Sequence, residues 1–245
     1  MNILFCGDNH AEDGVLITTL SLLKNTTEEL HIYILTMKTE NKDKQYQPFS
    51  KKAADFIRSL LVKKNAHNTL ELIDCTDLFV KEPPTANMGT RFTPYAMLRL
   101  FADQLPQIPN RVLYLDDDVI IRKDIRDFYH QDIENVELVG VLDYWGRFFF
   151  HNVHEHKMLD YLNSGVLLIN MDEVKKTNLF AKVRHMMQVK RMFLPDQSAI
   201  NKLATEKKIA PRRFNEQYHL RDDTVIQHFT TSFRFKPYFH TQTVK

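Results

Sequence analysis

Glycine is scarce in this chain: 6 in 245 residues, about a third of ordinary usage. They stand at Gly7, Gly14, Gly89, Gly140, Gly146 and Gly165, never fewer than six positions apart. Neither G-x-G-x-x-G nor G-x-x-x-x-G-K can therefore occur, which excludes glycine-loop dinucleotide binding and P-loop nucleotide hydrolysis. A phosphorylated ligand must be neutralised by something other than a glycine cradle. Cysteine is equally sparse: Cys6 and Cys75 lie in apolar runs and read as reduced core thiols, not a disulfide framework. Excess charge is missing too. Lys and Arg number 33 against 31 Asp and Glu, a net +2, too little for a broad nucleic-acid-binding face. No apolar run approaches the roughly 18 residues of a membrane span. The opening Met1-Asn2-Ile3-Leu4-Phe5-Cys6 has no basic n-region and reads as a strand, so the expectation is a cytoplasmic protein.

What remains is ordinary globular composition, 43% hydrophobic and 26% charged, compatible with one α/β domain, since such domains often reach about 250 residues. Short apolar runs alternate with helical patterns, which predicts a mostly parallel central sheet flanked by helices. Strands are predicted at Ile3–Cys6, Leu30–Leu35, Leu70–Asp74, Arg111–Leu115, Val136–Leu142, Gly165–Met171 and Val225–Phe229. The spacing predicts helices over Val15–Leu23, Phe49–Lys64, Pro94–Gln104 (Thr93 as cap), Asp172–Arg191 and Asp196–Thr205. The methionines of Asp172–Arg191 read as core packing. Trp145–Asp160 carries no period and reads as a loop or flap, and Phe233–Lys245 is aromatic and basic without periodicity.

The chemistry concentrates where Arg111–Leu115 runs directly into Asp116-Asp117-Asp118 and then Val119-Ile120-Ile121. Three successive carboxylates oppose one another's ionisation unless a cation or solvent neutralises them. Extended backbone points Asp116 and Asp118 to one side and Asp117 to the other. Two hard oxygen donors at a strand's C-terminal end suit Mg²⁺ or Mn²⁺ bridging to a substrate phosphate. An acidic turn that merely caps the next element is the alternative. An aspartyl-nucleophile phosphatase also uses D-x-D after a strand, but it normally needs an early D-x-D and a later strand ending in an acidic pair. Here the later pair, Asp222-Asp223, precedes its strand.

Taken together, these residues resemble glycosyltransferase family 8, the retaining enzymes related to lipooligosaccharide galactosyltransferases and glycogenin, over nearly the whole chain. Ile3–Asp8 is similar to the family's first strand, whose terminal carboxylate reads uracil, which implies nucleotide contacts from Cys6, Asp8 and His10. Asp117 joins them. Val112–Asp118 is similar to the family's D-x-D strand, implying Asp116 and Asp118 as metal ligands, with His228 as the third. Arg99 looks like the arginine that contacts the donor sugar. Asn163-Ser164-Gly165 is similar to the strand bordering the sugar pocket, with Asp143 assigned beside it. Asp196-Gln197 matches the family's D-Q pair and stands as the catalytic assignment. On its own, Asp196 reads better as a helix cap, and only the resemblance shifts it to the site.

The resemblance implies a single GT-A type domain, with a nucleotide-binding half at about 1–118 and a sugar and acceptor half at about 119–245. It also implies Mn²⁺ (or Mg²⁺), a UDP-hexose donor, galactose or glucose, and a glycan, lipid-linked or protein-linked acceptor. The mixed O/O/N donor set favours Mn²⁺. A catalytically weak sugar-nucleotide-binding or assembly subunit is the other reading. The family's H-[FY]-x-G-x-x-K-P-W ending becomes His228-Phe229-Thr230-Thr231, two extra residues precede the lysine, and Tyr238 replaces tryptophan, so either Lys236 or Arg234 is expected at the diphosphate. His151, His154 and His156 have zinc-like spacing but no cysteine nearby, and read as an acceptor-side flap. The mixed tail 229–245 reads as a loop over the donor or a peripheral membrane contact.

Overall fold

The computed structural model describes residues 1–41, 44–88, 94–144, 146 and 160–230. In chain order the strands and helices are β1 (Asn2–Cys6), α1 (Glu12–Asn25), β2 (His31–Thr36), β3 (Thr39–Asn41), β4 (Lys44–Tyr46), α2 (Lys51–Lys64), β5 (Thr69–Asp74) and α3 (Thr76–Lys81). A 3-10 helix over Pro94–Gln104 leads to β6 (Arg111–Leu115), β7 (Val119–Ile121), α4 (Arg126–Tyr129), β8 (Leu138–Leu142) and β9 (Leu162–Asn170). The described chain continues with α5 (Met171–Thr177), α6 (Leu179–Val189), α7 (Pro195–Leu203), β10 (Lys207–Ile209) and β11 (Ile226–His228).

Seven strands form one sheet in the order β10-β8-β9-β6-β1-β2-β5. Only β9 opposes the others: it is antiparallel to both β6 and β8, while the remaining pairings are parallel. The α/β class and mostly parallel sheet expected from the alternating runs are what the chain adopts. Period-two alternation splits the strands between two apolar layers. Ile3, Phe5, Leu113 and Leu115 pack with Val15 and Leu22 of α1 and Ile57 and Leu61 of α2. Leu4, Cys6, Val112 and Tyr114 pack with Leu98 and Phe101 of the 3-10 helix and with Phe180 and Val183 of α6.

Several predicted boundaries move, each for a physical reason. Pro94–Gln104 coils as a 3-10 helix instead of an α-helix, with eight of its eleven residues buried, so packing sets its winding. The single helix expected over Asp172–Arg191 breaks at Asn178, whose φ of 55° lies in the left-handed region that Asn tolerates. The strand expected from Gly165 begins at Leu162, and the one expected from Val136 begins at Leu138. The helix expected from Asp196 starts at Pro195, which occupies its first turn. The expected strand Val225–Phe229 survives as β11, paired antiparallel to β7 outside the main sheet.

That small pairing matters most for the site. β11 sets His228 opposite Val119, one residue after the acidic run, and the Phe229 N–H donates to the Asp118 carbonyl at 2.9 Å. The other edge of β7 is held by α1: Thr18 Oγ1 donates to the Val119 carbonyl (2.6 Å), and the Ile121 N–H donates to Ser21 Oγ (2.9 Å). Gly14 lets α1 lie against the Asp117 carbonyl, a place any Cβ would occupy.

Candidate active site

The two outer carboxylates of the acidic run meet His228, and one ligand atom from each of Asp116, Asp118 and His228 falls within 4.8 Å of the others. His228 Nε2 lies 3.1 Å from Asp118 Oδ1 and 3.7 Å from Asp116 Oδ2. The donor set suits a borderline-hard divalent ion. Gly165 supplies a steric test of the same idea. A Cβ there would lie 2.5 Å from Asp116 Oδ2 and closer still to His228 Cε1, so glycine keeps the space between the ligands open. The three residues fit a divalent cation.

Asp116 does not point freely. The Tyr114 hydroxyl donates to its Oδ1 at 2.6 Å, and Arg99 Nη2 stands 3.6 Å from the same oxygen. Oδ2 is thereby turned toward His228. Burial pushes the Tyr114 phenol well above its ordinary range; Arg99 opposes this, and the Asp116 charge adds to it. The phenol therefore stays a donor at physiological pH.

Arg99 is only 2% exposed and its guanidinium is spent on the protein. Nη2 pairs with Asp196 at 2.9 Å, Nε donates to the Ala96 carbonyl at 2.7 Å, and Nη1 donates to the Ser164 carbonyl. The guanidinium also lies 4.0 Å above the Tyr114 ring. Burial opposes its charge, but Tyr114, Asp196 and Asp116 outweigh that and hold it above the ordinary arginine value. Asp196 sits in the first turn of α7, with its carboxylate on Arg99. The helix begins at Pro195 with Leu194 as its N-cap position, so Asp196 lies inside the first turn and its carboxylate serves the Arg99 ion pair instead of a cap.

A second set of buried amides continues from there. Gln197 Oε1 accepts from the Ser164 N–H (2.9 Å), and its Nε2 donates to Asp143 Oδ2 (3.0 Å). Asp143 Oδ2 also accepts from Asn163 Nδ2 at 2.9 Å. Asn163 Oδ1 in turn accepts from the Gly165 N–H and from Asn215 Nδ2, both at 3.0 Å. Asn215 Oδ1 faces His228 Nδ1 at 3.1 Å.

Among the predicted residues, the structure thus brings together Arg99, Asp116, Asp118, Asp143, Asn163, Ser164, Gly165, Asp196, Gln197 and His228. Asp117 lies against Gly14 of α1. Cys6 closes β1 beside this group: burial is the main cause of its strongly raised pKa, with the Arg99 charge pulling the other way and Asp116 and Asp196 adding to the rise. Asp8 caps the short turn that follows, accepting from the His10 N–H at 3.0 Å, and its Oδ2 meets His10 Nδ1 at 3.2 Å. His10 is exposed. Lys236, Arg234, Thr93, the 151–156 histidines and the tail 231–245 lie outside the described residues.

Tyr114, Asn215 and Glu216 were not anticipated. Tyr114 carried a signal, since a strand residue two before Asp116 shares its face. Asn215 and Glu216 carried none, because their partners are remote or in an irregular turn. Buried Glu216 gathers Arg212 and the N–H groups of Tyr218 and His219. That turn presents Tyr218, 44% exposed, stacked on Tyr144 at 4.6 Å and 9°, immediately after Asp143.

The family model for glycosyl transferase family 8 matches residues 2–237. The chain belongs to glycosyltransferase family 8. It is 26% identical over 226 residues to the lipopolysaccharide 1,3-galactosyltransferase of Salmonella typhimurium, a match covering 87% of this chain and 63% of that protein. A Haemophilus influenzae relative shows the same identity over 223 residues, 88% of this chain and again 63% of the relative. The chain therefore spans under two thirds of the length of these curated relatives. Among solved structures, galactosyltransferase LgtC in complex with donor and acceptor sugar analogs superposes with a TM-score of 0.69 at 18% identity, covering 95% of this chain and 88% of that one. GlyE of Streptococcus pneumoniae gives a TM-score of 0.70 at 19% identity, over 100% of this chain and 61% of that one. These likenesses establish the family and the GT-A type fold.

Proposed function

We propose that this family 8 protein is a metal-dependent retaining hexosyltransferase, moving galactose or glucose from a UDP-sugar to a hydroxyl of a glycan, lipid-linked or protein-linked acceptor. The observation that carries the reading is the convergence of Asp116 and Asp118, from the middle of the chain, with His228, from near its end, beside the Asp196–Gln197 pair. Nothing in sequence proximity requires that meeting. The similarity to a lipopolysaccharide galactosyltransferase supports a hexose donor and a cell-surface type of acceptor.

In this reading Asp116, Asp118 and His228 hold Mn²⁺ or Mg²⁺. When bound, the ion supplies Lewis-acid stabilisation of the charge that develops on the diphosphate leaving group. The protein's own residues orient the sugar. Arg99 locks Asp196 and the Ser164 carbonyl, and Asp143 with Asn163 and Gln197 forms a rigid polar wall for hydroxyl recognition. Gln197 is a weak nucleophile, and its carbonyl oxygen already accepts from Ser164. A same-face substitution follows: the anomeric C–O bond to phosphate breaks, the acceptor oxygen bonds on that same face, and its proton passes to the leaving phosphate oxygen. Nucleotide contacts fall to the first half, about 1–118, with Cys6, Asp8, His10 and Asp117 near the base. Lys236 or Arg234 serves the diphosphate. The exposed Tyr218–Tyr144 stack beside Asp143 supports an acceptor sugar in the second half.

The test is UDP release and sugar transfer from a panel of UDP-hexoses with Mn²⁺, then with EDTA, and anomeric NMR of the product. Turnover that needs the cation and retains the α-configuration is expected. Undiminished turnover in EDTA removes the metal claim, and binding without any UDP release favours an assembly subunit instead.

A further inference from the structure

A histidine that ligates through Nε2 must carry its proton on Nδ1, and something must hold it there. The described residues contain a chain of hydrogen bonds with one self-consistent direction. It starts at the Gly165 N–H, a donor that cannot be reversed. That donor requires an acceptor, so the 3.0 Å partner atom of Asn163 is its carbonyl oxygen. The same oxygen lies 3.0 Å from Asn215, which must therefore present its NH₂. Asn215 consequently turns its carbonyl oxygen to His228 Nδ1, 3.1 Å away, and that nitrogen must bear the hydrogen.

The far end agrees. With its oxygen committed to Gly165, Asn163 offers its NH₂ to Asp143 Oδ2 at 2.9 Å, and the carboxylate accepts it. Turning Asn215 alone would set two carbonyl oxygens 3.0 Å apart. Turning Asn163 as well would face its NH₂ with the Gly165 N–H and its oxygen with Asp143. Each alternative opposes like groups in a site where Asn215 is 0% and Asn163 5% exposed, and water is poorly placed to relieve the mismatch.

We propose that Asn215 and Asn163 are positioning residues that transmit the direction of the Gly165 N–H to His228, fixing the Nδ1–H tautomer and turning the Nε2 lone pair toward Asp116 and Asp118. The proposal rests on the reading of His228 as a cation ligand for its use, though not for its geometry. It gives Asn163 a task beyond lining a sugar pocket, and Asn215 a task that its place in an irregular turn does not advertise.

The experiment is ¹⁵N NMR of histidine-labelled, cation-free protein at pH 8, with His228→Gln to assign the ring. The expected spectrum carries a hydrogen on Nδ1, whether or not Asp118, 3.1 Å from Nε2, also holds one there. A ring whose Nδ1 is unprotonated overturns the proposal. Asn163→Leu leaves the Asn215–His228 pair in place, so it should lower the fraction of Nδ1–H ring if direction is relayed; an unchanged fraction in that variant overturns the relay. Asn215→Leu should raise the Kd for Mn²⁺ alone, measured by calorimetry, by about 10- to 100-fold; unchanged affinity in the folded variant counts against it. Wild-type protein with the Nδ1–H ring but no Mn²⁺ affinity would instead sink the functional reading and leave the tautomer assignment standing.

Discussion

At the scale of single residues, Gly165 and Arg99 organise the site from opposite directions. Gly165 contributes empty space and one N–H. Gly165→Ala should therefore leave the fold intact while displacing His228 or Asp116, abolishing the Mn²⁺-induced rise in melting temperature. A full cation-induced rise in that variant would contradict the steric argument. Arg99 acts in the opposite way, by filling space with charge. Removing it in Arg99→Met leaves Asp196 and Asp116 facing each other in a buried setting. The expected loss is about 3–5 kcal/mol in urea unfolding, and a change below 1 kcal/mol (about the worth of an exposed pair) would show that its ion pairs are replaceable.

At the scale of elements, the junctions set the geometry more than the elements themselves. Asn178 is both the end of α5 and the start of α6, and its left-handed backbone sets the angle between them. Asn178→Val forces a β-branched side chain into that conformation and should cost about 1–2 kcal/mol, whereas Asn178→Gly should be near neutral; equal stability of both variants by thermal unfolding would refute the argument. The helix type was legible for α2, but not the face it buries: Ile57 and Leu61 are buried, while Phe56 is 54% exposed. The 3-10 helix was not legible, because its apolar spacing reads like an α-helix until packing winds it tighter. Short pieces such as β10 and α4 have too few residues to display a period at all.

For the molecule as a whole, the two-layer core places both thiols out of solvent reach. Burial pushes Cys75 from 9.0 up to about 12, aided by Asp74, and raises Cys6 well above its usual value. In the unfolded chain these thiols ionise first, so the folded state binds more protons across that interval. Stability should then be fully present below about pH 9 and fall as pH rises toward 12. Urea midpoints measured at pH 8 and 10.5 should show the decline, and Cys75→Ala should blunt it; an identical decline in that variant would assign the effect elsewhere. Tyr114 titrates in the same direction. Among the described residues no helix is long and apolar enough to cross a membrane.

Sequence by itself determined the α/β class and the run of carboxylates at a strand end, because period is a local property of backbone. The strand stops at Leu115 and Asp117 and Asp118 form a turn, so the meeting of Asp116 and Asp118 on one side belongs to the tertiary fold. It also carried the family resemblance, through motifs that are contiguous in the chain. Only tertiary structure decided that His228 stands against those carboxylates, that Arg99 is consumed by Asp196 and Ser164, and that Asn215 faces the imidazole. Those contacts join residues 13 to 112 positions apart. The pairing of β7 with β11 and the reversed strand β9 create them, and pairings between distant strands leave no periodic trace in the residues that make them.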